Sequence, residues 1–346
     1  MEKENNIFKF ATKELSQDAF ICWLINWINY EQDNQQLYNK AQELLKYILK
    51  NKGYEENLED YDIEIKKQYK SIDVLVLLKE KENENTKYAI TIEDKTFTAE
   101  HDKQIERYKD KIQKEFEKAN IITVYYKIYE EPKKIDADVI INREYMLNNI
   151  LNETIKSEIY TDYKNFLNWI EEIHKNYKGL KLKELEKNKK IILPMIATEY
   201  NEKQDNDKLK MEIAQQGGST FIDWYRVDVK LNEFSRYFSQ IYLSLNINNS
   251  YELRIRGYIK KQIQYKNEGS KDGELSDERL KFRKYIENKC NENGVEVSNF
   301  NNKKAKEESN VFLTKICLDE NIKYEQLMNQ INILEKIMRE MNEEII

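Results

Sequence analysis

The sequence predicts an α/β fold, α+β when taken whole: an αβββαβ core with a mixed central sheet flanked by helices, then a C-terminal α+β region with an antiparallel sheet. Three observations carry this. A helical stretch precedes three strand-like runs at 61–68, 72–78 and 88–92. A further helical stretch leads into the almost continuously apolar IITVYYKI at 121–128, as expected of a strand covered on both faces. Strand, helix and strand in succession default to a right-handed crossover, so this last strand should lie parallel to a core strand.

Residues 12–30 read as the first helix, with Ala19, Phe20, Cys22, Trp23, Ile25, Trp27 and Ile28 as an apolar stripe and Thr12 or Ser16 as cap. Residues 37–49 read as a second helix stopped by Gly53. YDIEIKKQ at 61–68 alternates as a half-buried strand should, with Tyr61, Ile63 and Ile65 inward. The runs at 72–78 and 88–92 flank a polar, Asn-containing segment that suits a hairpin connection. Thr98 precedes an acidic turn, Glu100 and Asp102, and a helix to about Ala119 with Ile105, Tyr108, Ile112 and Phe116 as its buried stripe. Pro132 and Asp136 to Asp138 make a loop, and 143–155 and 160–177 read as helices.

From Gly179 the character changes. Residues 180–216 form a charged, helical stretch interrupted at Pro194, and Gly217-Gly218 breaks it. Beyond lie strand-like runs at 220–229, 238–246 and 251–259, a helix at 277–291, a strand at 310–317 and an amphipathic helix at 324–341. This suggests a domain over 1–178, a helical connector over 179–216 and a second α+β domain over 217–346.

At 346 residues, with 40% apolar and 12% aromatic residues, the chain is long enough for two cores and too apolar for disorder. A net charge of −6 argues against a chain coated in positive potential, so any nucleic-acid contact must be a local basic surface. Cys22, Cys290 and Cys317 are far apart, odd in number and without a CxxC pair, so free thiols in a reducing cytoplasm are expected. The first residues lack the apolar segment of a signal peptide, and no apolar run is long enough to span a bilayer. A cytoplasmic protein with no membrane partner is expected.

The chemistry gathers between Ser71 and Tyr108. Alternate side chains of a strand share a face, so Glu93 and Lys95 project together while Asp94 points the other way. Asp73 reaches the same spot if the two hairpin strands pair. Gln104 and Tyr108 lie one turn apart on the following helix. Each feature has an unremarkable reading too: Asp73 as a strand-end cap, Glu93 and Lys95 as a same-face ion pair, and Tyr108 as core. His101 and His174 read as surface residues.

Asp73, then Glu93-Asp94-Lys95, then Gln104-Ile105-Glu106-Arg107-Tyr108 resembles the PD-(D/E)XK nuclease superfamily, and in the Q-x-x-x-Y feature its RecB-like and lambda-exonuclease-like branches. The Pro of the pattern is absent, since Ser71-Ile72 precede Asp73. The stretch from Asn6 to Trp27 adds to a resemblance that is good over the first third to half of the chain and thin beyond.

The resemblance implies a restriction-endonuclease-like core and a Mg²⁺-dependent deoxyribonuclease, with Mn²⁺ able to substitute, acting in bacterial defence or DNA processing. It implies catalytic roles for Asp73, Glu93, Lys95, Gln104 and Tyr108. Mg²⁺ takes oxygen ligands and keeps several waters, so Asp73, Glu93 and the backbone carbonyl of Asp94 would suffice. The resemblance adds Glu14 from the first helix, although an acid in a first helical turn is favoured by the helix dipole alone. The expected partner is nucleic acid, double-stranded DNA foremost, and cutting both strands would suggest a homodimer. Arg254, Arg256 and Lys260 with Tyr258 offer a second contact surface. A catalytically silent nucleic-acid-binding module, or an effector regulated by a protein partner on the C-terminal domain, are the alternatives.

Overall fold

A computed structural model describes residues 6–10, 14–95, 103–131, 135–206, 209–216, 219–228, 238–248, 250–259, 284–297 and 310–344. The chain divides into two compact units, Met1–Ile173 and His174–Ile346.

The first unit is built on a five-stranded sheet in the order β1-β2-β3-β4-β5. β1 (Tyr61–Tyr69), β2 (Ile72–Glu80) and β3 (Thr86–Lys95) are antiparallel neighbours, whereas β4 (Asn120–Lys127) runs parallel to β3 and β5 (Val139–Asn142) parallel to β4. The sheet is therefore mixed, and the parallel pair is the product of the crossover through the helix Gln104–Glu115. Two helices come first, α1 (Glu14–Asn26) and α2 (Gln35–Asn51), so that crossover helix is α3. Asn34 caps α2 by accepting from the Leu37 N–H, and Gly53, at φ +86°, takes the left-handed conformation that ends it.

The register sorts the side chains onto two faces. Leu75, Leu77, Ala89 and Ile121 pack with Tyr108 and Ile112 of α3 in one buried cluster. Val74, Val76, Ile90, Ile92, Ile122 and Val124 are buried on the opposite face. There α1 contributes Phe20, Ile21, Leu24 and Ile25, and Phe20 stacks on Tyr163 of α5 (Glu158–Asn176) with centroids 3.7 Å apart. A sheet covered on both faces needs continuous apolar strands, and β2 and β4 have them.

Several details differ from the sequence reading. The first helix stops at Asn26, and Trp27 begins a 3₁₀ turn, so Ile21 and Leu24 replace Trp27 and Ile28 in the buried stripe. Ser16 lies inside α1, and Thr12, Thr98, Glu100, His101, Asp102 and Pro132 lie outside the described residues. The helix α3 ends at Glu115 rather than near Ala119. β5 falls between the loop expected through Asp138 and the helix expected from Arg143; it is four residues long and gains its place by pairing with β4. The helix expected over 143–155 is one short turn, α4 (Arg143–Tyr145), followed by a π-helical turn, Met146–Ile150.

In the second unit, α6 (Leu182–Lys187) and α7 (Lys189–Asn201) precede a five-stranded antiparallel sheet in the order β10-β9-β8-β7-β6. Pro194 sits within α7 instead of interrupting it. The helical stretch expected to reach Gln216 ends at Asn201, and Glu212–Gln216 is the edge strand β6. β7 (Ser219–Asp228), β8 (Phe238–Ile247), β9 (Tyr251–Ile259) and β10 (Asn310–Cys317) follow, with a helix over 284–292 and a final helix, Tyr324–Glu344. Buried Glu335 of that last helix accepts from Trp224 Nε1 (2.8 Å) and Tyr200 Oη (2.6 Å), tying the helix to β7 and α7.

Candidate active site

At the ends of β2 and β3 the two strands part. Val74 and Ile92 are the last paired residues, and the next residue on each strand toward the opening, Asp73 and Glu93, shares the face that carries Leu75, Ala89 and Tyr108. In place of the missing ladder bond, Asp73 Oδ2 accepts the backbone N–H of Asp94 at 3.0 Å. Asp73 is thus a strand-end cap, and its carboxylate is fixed beside Glu93 by the same bond.

Glu93 and Lys95 stand on that face too, and their carboxylate and ammonium are in ion-pair contact. Glu93 is 2% exposed and Lys95 7%. Apart from the Lys95 ammonium, both Glu93 Oε atoms lack a hydrogen-bond partner. Burial, then repulsion from Asp73, pushes the Glu93 carboxyl up to about 7 despite Lys95. Burial opposes the Lys95 charge, but Glu93, with Glu14 and Asp73 nearby, outweighs it and holds the ammonium above the usual lysine range.

Gln104 and Tyr108 of α3 complete this face. Gln104 Nε2 donates to Tyr108 Oη at 3.2 Å, and the Tyr108 ring is part of the core under the site. Burial and the charge of Glu93 raise the phenol above its ordinary range. Tyr108 is therefore both core and site wall, while Gln104 pairs with Tyr108.

Asp94 points to the opposite face, as alternation requires. Its Oδ1 accepts from Gln17 Nε2 at 2.8 Å, and Gln17 Oε1 in turn accepts from Tyr163 Oη at 3.3 Å. Tyr163 Oη also shares a short hydrogen bond with Tyr126 Oη. Burial, then Asp18 and Asp73, drives the Asp94 carboxyl well above the carboxylate range. Glu14 opens α1, and its charge acts on both Asp94 and Lys95, which places it beside the site.

Sequence reasoning gave no role to three residues around the site. Asp18 is 1% exposed, and burial with repulsion from Asp73 raises its carboxyl to about 6. Its four-residue spacing from Glu14 was the available signal. Gln68 donates to both Asp18 Oδ2 (3.1 Å) and Asp73 Oδ1 (3.2 Å), a role with no sequence signature. Lys127 lies directly across from Lys95 in the parallel β3–β4 register and pairs with Glu131 at 2.5 Å. Of the second contact surface, Arg254 is held by Glu252, and the side chains of Tyr258 and Lys260 lie outside the described residues.

The donor set fits a hard cation. It is made of oxygens, and buried atoms of Asp18, Glu93 and Asp94 lack hydrogen-bond partners. Glu14, Asp18, Asp73 and Glu93 crowd around the cations Lys95 and Lys67, and the repulsion that helps raise the Asp18 and Glu93 carboxyls is what a bound divalent ion would relieve. Among the described residues, no three His, Cys, Asp or Glu side chains gather as a ready ligand cage, so such an ion would rest on few carboxylates and retain waters. No helix among the described residues is long and apolar enough to cross a membrane, and all three cysteines are free.

No curated protein and no solved structure matches the chain. The family model of the PD-(D/E)XK nuclease superfamily matches residues 5–210, a span that contains β1–β5, the paired carboxylates and the Glu93–Lys95 ion pair. The chain belongs to the PD-(D/E)XK nuclease superfamily, whose members are nucleases that generally use divalent metals.

Proposed function

We propose that the protein is a Mg²⁺-dependent deoxyribonuclease, with Mn²⁺ an effective substitute, that hydrolyses DNA phosphodiester bonds in bacterial defence or DNA processing. The observation that carries this reading is the convergence of Asp73, Glu93 and Lys95 on one sheet face where β2 and β3 part. Asp73 and Glu93, with the carbonyl of Asp94 and with Glu14 at the edge, would hold the cation. When bound, it would activate the attacking water and neutralise charge on the phosphoryl oxygens.

The chain's own groups supply the rest. The carboxylate excess repels a phosphodiester until it is neutralised, which makes productive DNA binding depend on the cation. Lys95, held charged by Glu93, faces the same spot and stabilises negative charge developing on the phosphoryl group. Gln104 and Tyr108 wall that face and meet the DNA backbone at its rim. The covered floor of Tyr108, Leu75 and Ile112 keeps the buried side of the site dry, which strengthens these interactions. The second unit would receive the DNA or a regulating protein partner, and cutting of both strands would call for a homodimer.

The test is cleavage of supercoiled plasmid DNA by the wild type and by Lys95→Ala in Mg²⁺ or Mn²⁺. Nicking or linearisation by the wild type, lost with EDTA and in the variant, is expected. A wild type inactive on double- and single-stranded DNA in both metals would overturn the reading, and equal activity of Lys95→Ala would overturn the assignment of Lys95.

A further inference from the structure

Gln68 is the last residue but one of β1. Lys67 pairs with Val74 and Tyr69 with Ile72 in one unbroken register, which sets Gln68 opposite Asp73. Gln68 has φ +53°, in the left-handed region that residues other than glycine rarely occupy. Lys70 and Ser71, at φ +51° and +72°, share that conformation and complete the turn.

The turn is fastened to α3. Tyr69 Oη and Lys70 Nζ both reach the Glu115 carboxylate, at 2.5 and 2.7 Å, and Lys111 Nζ donates to the Lys70 carbonyl at 3.0 Å. Sparsely populated backbone conformations persist where the surroundings over-determine them, and they cluster at functional sites. Here the outcome is specific. The exposed Gln68 side chain is turned back so that one amide nitrogen donates to Asp73 Oδ1 and to Asp18 Oδ2.

Those two carboxylates belong to opposite sides of the sheet. Asp73 shares the face of α3, whereas Asp18 comes from α1, whose Gln17 holds Asp94 on the other face. An amide NH₂ has two N–H bonds and no net charge, so it can join two carboxylates without adding to either charge. With the Asp94 N–H on Oδ2 and Gln68 on Oδ1, each oxygen of Asp73 is oriented by a separate donor.

We propose that Gln68 is a positioning residue of the metal site: its amide brackets Asp73 and Asp18, orienting Asp73 for cation binding while holding the two carboxylates together. The inference rests on the metal-dependent reading of the site. It assigns Gln68 no contact with the reacting atoms. Groups that orient a metal's carboxylate ligands act mainly on metal affinity.

The experiment is Mn²⁺ titration of the metal-free full-length protein, followed by electron paramagnetic resonance, for the wild type, Gln68→Ala and Gln68→Gly. Gly relieves the left-handed strain and removes the amide, so it separates side-chain chemistry from backbone folding. Both variants should bind Mn²⁺ about tenfold more weakly, Gln68→Gly should melt no lower than the wild type, and excess Mn²⁺ should restore cleavage in both. Wild-type affinity in both variants, or a loss confined to Gln68→Ala, would overturn the inference while leaving the nuclease reading intact. A wild type that binds no Mn²⁺ would overturn both.

Discussion

The backbone N–H of Asp94 donates to Asp73 Oδ2 at 3.0 Å, so the acid of β2 is fixed by the strand that carries Glu93 and Lys95. This bond replaces the sheet ladder at the point where β2 and β3 part, and it brings two carboxylates together in a poorly solvated place. The arrangement is costly without a cation, and the first prediction follows from that cost.

Asp73→Asn should abolish cleavage, by about a thousandfold or more, without lowering the melting temperature. The Asn carbonyl oxygen can still accept the Asp94 N–H, while the repulsion that raises Glu93 and Asp18 is removed. Thermal melting beside the plasmid assay checks this. A lower melting temperature would mean that Asp73 is held for stability rather than for function.

Buried Asp94 yields a prediction of pH dependence. Its folded pKa lies far above the unfolded value, so the native state holds a proton that the unfolded chain releases. Stability is then greatest below the unfolded pKa near 4 and declines as pH rises toward the folded value. Asp18 and Glu93, raised to about 6 and about 7, act in the same direction. Asp94→Asn, which keeps an acceptor for Gln17, should be as stable as wild type at pH 4. It should be more stable by about 1–3 kcal/mol at pH 8. Urea unfolding of the metal-free protein across that range is the measurement, and a wild type that gains stability relative to the variant as pH rises would contradict it.

Asp138 behaves in the opposite sense. It accepts from the Thr123 N–H and hydroxyl and from Lys52, which pins the start of β5 to β4 and α2. Burial alone would raise this carboxyl, but Lys52 and Thr123 hold it below the usual range. Its contribution is therefore present above about pH 4 and lost as pH falls through the depressed value. Asp138→Ala should cost about 1–3 kcal/mol at pH 7, with the penalty shrinking in acid, as urea titrations at pH 7 and pH 3 would show.

Much of the first unit was legible because its signals are local. The alternation at 61–68 marked β1, the twin apolar runs marked the hairpin, and the acids at the strand ends stood out against them. Alternation alone sent Glu93 and Lys95 one way and Asp94 the other. What escaped depends on tertiary pairing. β5 is too short to show a period and exists by pairing with β4. β6 presents a polar Ala-Gln-Gln edge that reads equally well as helix. Pro194 is the sixth of the thirteen residues of α7, so it forfeits the bond to the Lys190 carbonyl, and the buried run from Ile191 to Ala197 keeps the helix in place regardless. Gln68 reaches the site through its place opposite Asp73 and a left-handed φ, which no side-chain pattern announces. Asp18 was visible beside Glu14, but choosing between them requires knowing which turn of α1 meets β3.

Metal binding should show in stability as well as in cleavage. A cation bound by the folded state alone stabilises it by about 2.7 kcal/mol at a hundred times its dissociation constant. Mn²⁺ should therefore raise the melting temperature of the wild type. Glu93→Gln, which removes the buried carboxylate that lacks donors other than Lys95, should remove most of that gain. An equal rise in both proteins would place the ion elsewhere.

The most direct measurement is the anomalous scattering of Mn²⁺ in crystals of the full-length protein soaked at a concentration that supports cleavage. The predicted result is an ion in contact with the carboxylates of Asp73 and Glu93, on the face that Lys95 shares. A fully occupied ion bound elsewhere, with these two carboxylates still facing each other unliganded, would contradict the assignment of the site.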